Sequence, residues 1–220
     1  ESHFHTAILT GLAPDPRYIY TVGDGSHRST EYSFRTEPEE LTHFSFLIIA
    51  DQQNTEPFAA PEFRPVRNLL DLALRRCPDA KFILSLGDNV DNGENELQWN
   101  GLFHGLEGIT QNIPVMLITG NHDAAWVKRE ECKKYFETVV PYLELHVNGH
   151  PVTMCHYPLL EWNAGRREVG HRLGYLIHGH IHNRVADEYR QLFFQFNALN
   201  AGVDVNAFAP VTFEELLENN

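Results

Sequence analysis

Lys81-Phe82-Ile83-Leu84-Ser85-Leu86-Gly87-Asp88-Asn89-Val90-Asp91 is the stretch on which the fold turns. An apolar run interrupted by one serine ends abruptly in a glycine and two carboxylates. Such a run predicts a strand buried on both faces, as in parallel sheets, because a half-exposed strand would alternate apolar and polar residues. The same unit recurs on either side. Phe44 to Ala50 leads into Asp51-Gln52-Gln53, and Val115 to Ile118 leads into Gly120-Asn121-His122-Asp123. Two helices are predicted between them, one with Val66, Leu69, Leu70, Ala73, Leu74 and Cys77 on one face, the other over about Glu94 to Leu106. Strand, polar loop and helix therefore alternate. In open α/β sheets functional residues gather beyond the carboxyl ends of the strands, so Asp51, Asp88 and Asn121 are expected in one crevice.

The second half reads as richer in antiparallel strands: Leu143 to Val147, Pro151 to Cys155, Tyr175 to Ile177 and Leu192 to Phe196. Asn148-Gly149 between the first two is a strong hairpin signal. Thr212 and Glu215 have capping-box spacing ahead of Leu216-Leu217, which predicts a closing helix. Residues 5–36 read as short strands, His5 to Leu9, Tyr18 to Val22 and Tyr32 to Arg35, followed by the polar linker Thr36-Glu37-Pro38-Glu39-Glu40. A boundary is placed near residue 40, giving a partial β segment over 1–40 and one α/β domain over 41–220.

The chain has 220 residues, 42% of them hydrophobic and 21% charged, a globular composition with room for one full core and a small appendage. A net charge of −13 argues against a nucleic-acid partner, because phosphate contacts dominate such affinity. The three cysteines, Cys77, Cys132 and Cys155, imply no disulfide framework. No apolar stretch approaches a membrane span and no leader is evident, so a soluble protein of open compartment and open oligomeric state is expected.

His156 and the pair His180 and His182 complete a set of carboxylates, carboxamide and imidazoles in one chain order. This is the donor mixture expected around two cations such as zinc, iron or manganese. Asp88 has two oxygens and follows a strand directly, which suits it to bridge them, while Asp51 would serve the first cation. His180 and His182, two apart on an extended segment, would point to one side. Asn121 and His156 would give the second cation a mixed oxygen and nitrogen shell. Each word alone has a bland reading, as a turn, a cap or a surface histidine pair; the conjunction after apolar runs carries the inference. His104 and His178 read as packed or surface residues, Arg166 and Arg167 as solvated, and Trp162 and Asn163 as possible pocket lining.

This order of words, over roughly residues 44–205, resembles the calcineurin-like metallophosphoesterases, whose pattern is Asp-x-His, Gly-Asp-x-x-Asp, Gly-Asn-His-Asp/Glu, His and Gly-His-x-His. The resemblance implies a four-layer αββα sandwich holding two divalent or trivalent metal ions. By resemblance Asp88 bridges them, Asp51 and His182 hold one, and Asn121, His156 and His180 hold the other. Two positions depart from the pattern. Gln53 stands where most members have a metal-binding histidine, leaving a weaker amide ligand or none. Asp91 stands where the purple acid phosphatase branch has its colour-giving tyrosine, which predicts a colourless protein. The segment from His5 to Thr36 nonetheless resembles the end of that branch's fibronectin-type domain. His156-Tyr-Pro-Leu-Leu-Glu-Trp-Asn163 and Gly202-Val-Asp-Val-Asn206 resemble small stand-alone phosphoesterases instead, which predicts a junction between Asp123 and Leu143.

The implied activity is hydrolysis of a phosphate mono- or diester substrate by in-line attack of a metal-activated hydroxide. His122 is the expected general acid, with Asp91 or Asp123 orienting its ring. A catalytically weak or inactive protein that uses the fold to bind a partner is the alternative, motivated by Gln53; a nuclease is disfavoured by the charge.

Overall fold

The computed structural model describes residues 5–53, 63–123, 136, 138–165, 173–183 and 197–220. Its centre is a pair of four-stranded sheets. The first has the order β3 (Leu47–Ile49), β4 (Ile83–Ser85), β5 (Val115–Ile118) and β6 (Val139–Val140), all parallel. Helices α1 (Arg64–Arg76) and α2 (Glu96–Gly105) lie in sequence between its first three strands. Pro65 sits in the first turn of α1, where a missing N–H is tolerated. The Asn95 side chain caps α2 by accepting from Leu97 N. Both helices pack on one face of this sheet, where Val66, Leu70, Trp99 and Leu102 meet Ile49, Ile83 and Leu117.

The second sheet has the order β10 (Ala198–Asn200), β9 (Tyr175–His178), β8 (His150–Cys155) and β7 (Tyr142–Val147). Only β7 and β8 are antiparallel; β8, β9 and β10 run parallel, so the expectation of an antiparallel second half holds only for the hairpin. Its turn is the expected Asn148-Gly149, both with positive φ, 49° and 77°, the geometry that matches strand twist. The segment Leu192 to Phe196, expected as a strand, lies outside the described residues, while β6 and β10 were too short to stand out in sequence.

The two sheets face each other across Leu84, Leu86 and Ile118 on one side and Val152, Met154, Ile177 and Leu199 on the other. Burying side chains of this size contributes roughly 1.5–3 kcal/mol each, so this inter-sheet layer and the helix layer fix the first sheet from both faces. That is why its strands read as continuous apolar runs. The outer face of the second sheet, Cys155, Leu176 and Ala198, is covered among the described residues by Leu159 and Trp162 of the following loop. The closing helix α3 (Phe213–Asn219) has the expected capping box, with Thr212 and Glu215 exchanging bonds. Leu216 enters the inter-sheet core, and Arg76 of α1 pairs with Glu215 at 3.0 Å.

The amino-terminal strands β1 (Arg17–Tyr20) and β2 (Tyr32–Arg35) form a separate antiparallel pair. Tyr18 stacks on Phe34 with ring centroids 5.5 Å apart. The pair docks through Tyr20 Oη donating to Gln111 O at 2.6 Å and Ser33 N donating to Asn112 Oδ1 at 3.0 Å. His5 to Leu9, expected as a strand, is exposed and not in a strand, because nothing in the described chain offers it a ladder. Among the described residues no helix is long and apolar enough to cross a membrane.

Candidate metal centre

Three loops leave the first sheet and two leave the second, carrying the polar residues just beyond the carboxyl ends of β3, β4, β5, β8 and β9. Asp51, Asp88, His180 and His182 all adopt positive φ, 54°, 52°, 69° and 49°. That conformation is strained for residues with side chains and is characteristic of sites that the surrounding fold over-determines. The two histidines therefore do not lie on an extended segment as expected: β9 ends at His178, and both residues adopt left-handed backbone. Glycines permit the close approach. A Cβ on Gly120 would lie 2.1 Å from Asp88 Oδ1, and one on Gly179 would lie 2.1 Å from Asp51 Oδ2, so no side chain fits at either position.

One half of the centre is tightly knit. His156, fully buried, has Nδ1 2.9 Å from the Leu86 carbonyl, which places the proton on Nδ1 and leaves a lone pair on Nε2. Around that lone pair stand Asp88 Oδ2, Asn121 Oδ1 and His180 Nδ1, each at 3.2 Å. The ligand atoms of Asp88, His156 and His180 all lie within 4.8 Å of one another. Four lone-pair donors facing inward repel unless a proton or a cation sits among them, and a carbonyl-anchored imidazole is the usual metal-ligand arrangement. The donor set thus fits a divalent cation. The electrostatics agree. Burial alone would lower the His156 pKa, but Asp88 and Asp51 overcome it and raise it. Burial would raise the Asp88 pKa, but His156 and the His122 N–H hold it below the usual carboxylate value. Burial and the neighbouring His156 lower the His180 pKa, favouring the neutral ring that a cation needs.

The other half is looser. Asp51 accepts from His180 N through both oxygens, at 2.9 and 3.0 Å, and burial raises its pKa. His182 Nε2 lies 3.9 Å from Asp51 Oδ1. Gln53 offers little here: its amide nitrogen, turned toward the loop backbones, lies 3.1 Å from Asp51 O and 2.8 Å from Asp88 O. Its own N–H donates to Asp88 O at 3.1 Å. Gln53 therefore ties two loops together through its amide nitrogen.

His122 lies at the mouth, about one-third exposed, with Nε2 3.9 Å from Asp88 Oδ2. Its Nδ1 contacts the Asp91 backbone carbonyl, and the Asp91 carboxylate stands 3.8 Å away. Asp123 sits elsewhere. Fully buried, it accepts from the N–H groups of Asp88 at 2.8 Å and of Asn89 and Gly120 at 3.0 Å, and from Asn89 Nδ2 at 3.2 Å. Of the two expected ring-orienting carboxylates, Asp91 faces the ring and Asp123 staples loops. Gln52, Ser85 and Asn89 extend that staple, Gln52 Nε2 donating to Ser85 Oγ at 3.1 Å and Ser85 Oγ to Asn89 Oδ1 at 2.7 Å.

Trp162 packs on the second sheet and donates to Gly174 O at 3.3 Å, and Asn163 donates to Glu144, so both brace a loop and do not line the centre. His178 is buried, which lowers its pKa to about 4, and His104 is a surface residue 3.4 Å from Glu107. Arg166, Arg167 and Cys132, with most of the expected junction, lie outside the described residues; Cys77 and Cys155 are free thiols. Sequence reasoning missed Tyr157, whose ring centroid lies 4.9 Å from those of His156 and His180. Its adjacency to a candidate ligand, His156, was the available signal.

Comparison with known proteins agrees with this picture. The family described as calcineurin-like phosphoesterase matches residues 44–180, more than half the chain, and the purple acid phosphatase N-terminal domain matches residues 1–36. Two Arabidopsis thaliana proteins, named probable inactive purple acid phosphatases 1 and 24, are each 25% identical over 138 and 134 residues. Those alignments cover 56% of this chain, which spans 22% of the relatives' length. A solved protein of unknown function from Aquifex aeolicus shares the fold, with a TM-score of 0.52 and 20% identity over 80% of this chain and 99% of that one.

Proposed function

Because the chain belongs to the calcineurin-like phosphoesterase family, we propose that it hydrolyses phosphate esters at a two-cation centre. Asp88 would be shared, Asn121, His156 and His180 would complete one cation's shell, and Asp51 and His182 the other's. The observation that carries this reading is the convergence of Asp88 Oδ2, Asn121 Oδ1 and His180 Nδ1 on His156 Nε2, each at 3.2 Å, a mixed oxygen and nitrogen donor set suited to a divalent cation. Cations held there supply activation of water and neutralisation of charge on the phosphoryl oxygens. The net charge of −13 is offset locally by such cations and disfavours nucleic-acid substrates.

The chain's own residues do the rest. Protonated His122 donates from Nε2 to the departing alkoxide, because Nδ1 is engaged by the Asp91 carbonyl. The Asp91 carboxylate stabilises the imidazolium at 3.8 Å. Asp123 holds the Asp88 and Asn121 loops in register by accepting from Asp88 N and Gly120 N. Asp91 leaves no tyrosinate to colour the centre. Residues 1–40 form a separate appended segment, and residues 41–220 the catalytic unit.

The second reading is a metal-holding protein without turnover, favoured by the Gln53 geometry and by the two relatives named probable inactive. Nitrophenyl phosphate mono- and diesters with added manganese, zinc or iron separate the two. Hydrolysis abolished by Asp88→Asn supports the enzyme; metal uptake with no hydrolysis under any metal supports the alternative.

A further inference from the structure

We infer that Asp204 is the positioning residue of His182, holding that ring's Nδ1–H so that Nε2 is presented to the cation beside Asp51. The inference rests on the two-cation reading above. His182 lies between two carboxylates, with Asp51 3.9 Å from Nε2 and Asp204 Oδ2 3.7 Å from Nδ1. Asp204 is held rigidly for this role. Its Oδ2 accepts from Asn183 N at 3.0 Å, and its side chain is 18% exposed. Gly202 lies beneath it, where a Cβ would approach Oδ1 to 2.9 Å. Asn200, two residues earlier, donates to the His182 carbonyl at 3.0 Å and accepts from Gly202 N at 2.9 Å. Asn206 in turn donates to the carbonyls of Asn200 and Gly202.

Asp204 Oδ1 is buried with no hydrogen-bond partner among the described residues. A buried carboxylate oxygen left unpaired is unfavourable, and the His182 ring stands beside the same carboxylate, its Nδ1 3.7 Å from Oδ2. At 3.7 Å the pair is an ion-pair contact just beyond hydrogen-bond length, so a small ring rotation lets Nδ1–H donate to Asp204. That bond fixes the tautomer with the lone pair on Nε2 and makes the ring a stronger donor. His156 achieves the same with a neutral carbonyl, that of Leu86. In the looser half a carboxylate thus takes the anchoring place that a backbone carbonyl has beside His156.

The test is a calorimetric titration of metal-stripped protein with manganese, in wild type, Asp204→Asn and Asp204→Leu. Asparagine keeps the bond from Asn183 N and removes only the charge, so the loop stays intact. The expected result is two binding steps in wild type, with the weaker one lowered about 10–100-fold in Asp204→Asn and further in Asp204→Leu. The tighter step and the thermal midpoint of the stripped Asp204→Asn protein stay unchanged. A weaker step within about twofold of wild type in Asp204→Asn, or an equal loss in both steps, overturns the inference and leaves the two-cation reading standing. A wild-type isotherm with no second step overturns both.

Discussion

The two halves of the centre are built from similar residues but by different means. Around His156 the donors crowd within 3.2 Å of one buried ring nitrogen, whereas around the half-exposed His182 the carboxylates of Asp51 and Asp204 stand 3.9 and 3.7 Å away. The difference follows from the loops. His156 directly follows β8 and hangs from the Leu86 carbonyl, so packing between the two sheets sets its position. His182 stands beyond a left-handed turn and depends on polar neighbours. Under the proposed two-cation reading, the first half would hold its cation firmly and the second conditionally.

The variant that breaks the comparison outright is Asp88→Asn, since the proposal has Asp88 shared by both halves. Removing the bridging charge forfeits several kcal/mol of transition-state stabilisation, on the order of 10³-fold or more in kcat/KM. Steady-state kinetics with elemental analysis should show activity and both cations declining together. Next is His122→Ala, which is expected to lower kcat about 10²–10⁴-fold for esters with poor leaving groups. Nitrophenyl esters should suffer far less and metal content should not change; equal losses for both substrates would assign His122 to the metal shell.

Asp123→Ala tests the frame that both halves share. It leaves the buried N–H groups of Asp88, Asn89 and Gly120 without acceptors, at about 1–3 kcal/mol for each group left unpaired. A drop of several kcal/mol in urea unfolding is expected. The smallest effect should come from Gln53→His, which exchanges a backbone-bound amide for an imidazole. It is expected to tighten the weaker manganese step by about tenfold while the tighter step stays put, in the range that one ligand-shell contact commands.

The sequence made the first sheet and its ligands legible because buried parallel strands and loop ligands follow one another directly. Asp88 and Asn121 each lie within three residues of an apolar run, and a covered sheet leaves little choice of where they go. The site was less legible where conformation depends on distant partners. Nothing local shows that Gln53 turns its amide to two backbone carbonyls, or that Asp123 is consumed by three N–H groups while Asp91 faces the His122 ring. The His180 and His182 turn was misread as extended because the pattern of alternation does not register a left-handed backbone at non-glycine residues. Strands β6 and β10, of two and three residues, carry no periodicity to detect. Asp204 was visible only as part of a motif, since its partner His182 is brought to it by the parallel pairing of β9 and β10.

The most direct test of the central claim is the manganese content per chain after equilibrium dialysis against a graded manganese series, for wild type, His156→Ala and Asp51→Asn. The account predicts two cations acquired at separate concentrations, the tighter lost in His156→Ala and the weaker in Asp51→Asn. A single class of sites, affected alike by the two substitutions, would contradict it.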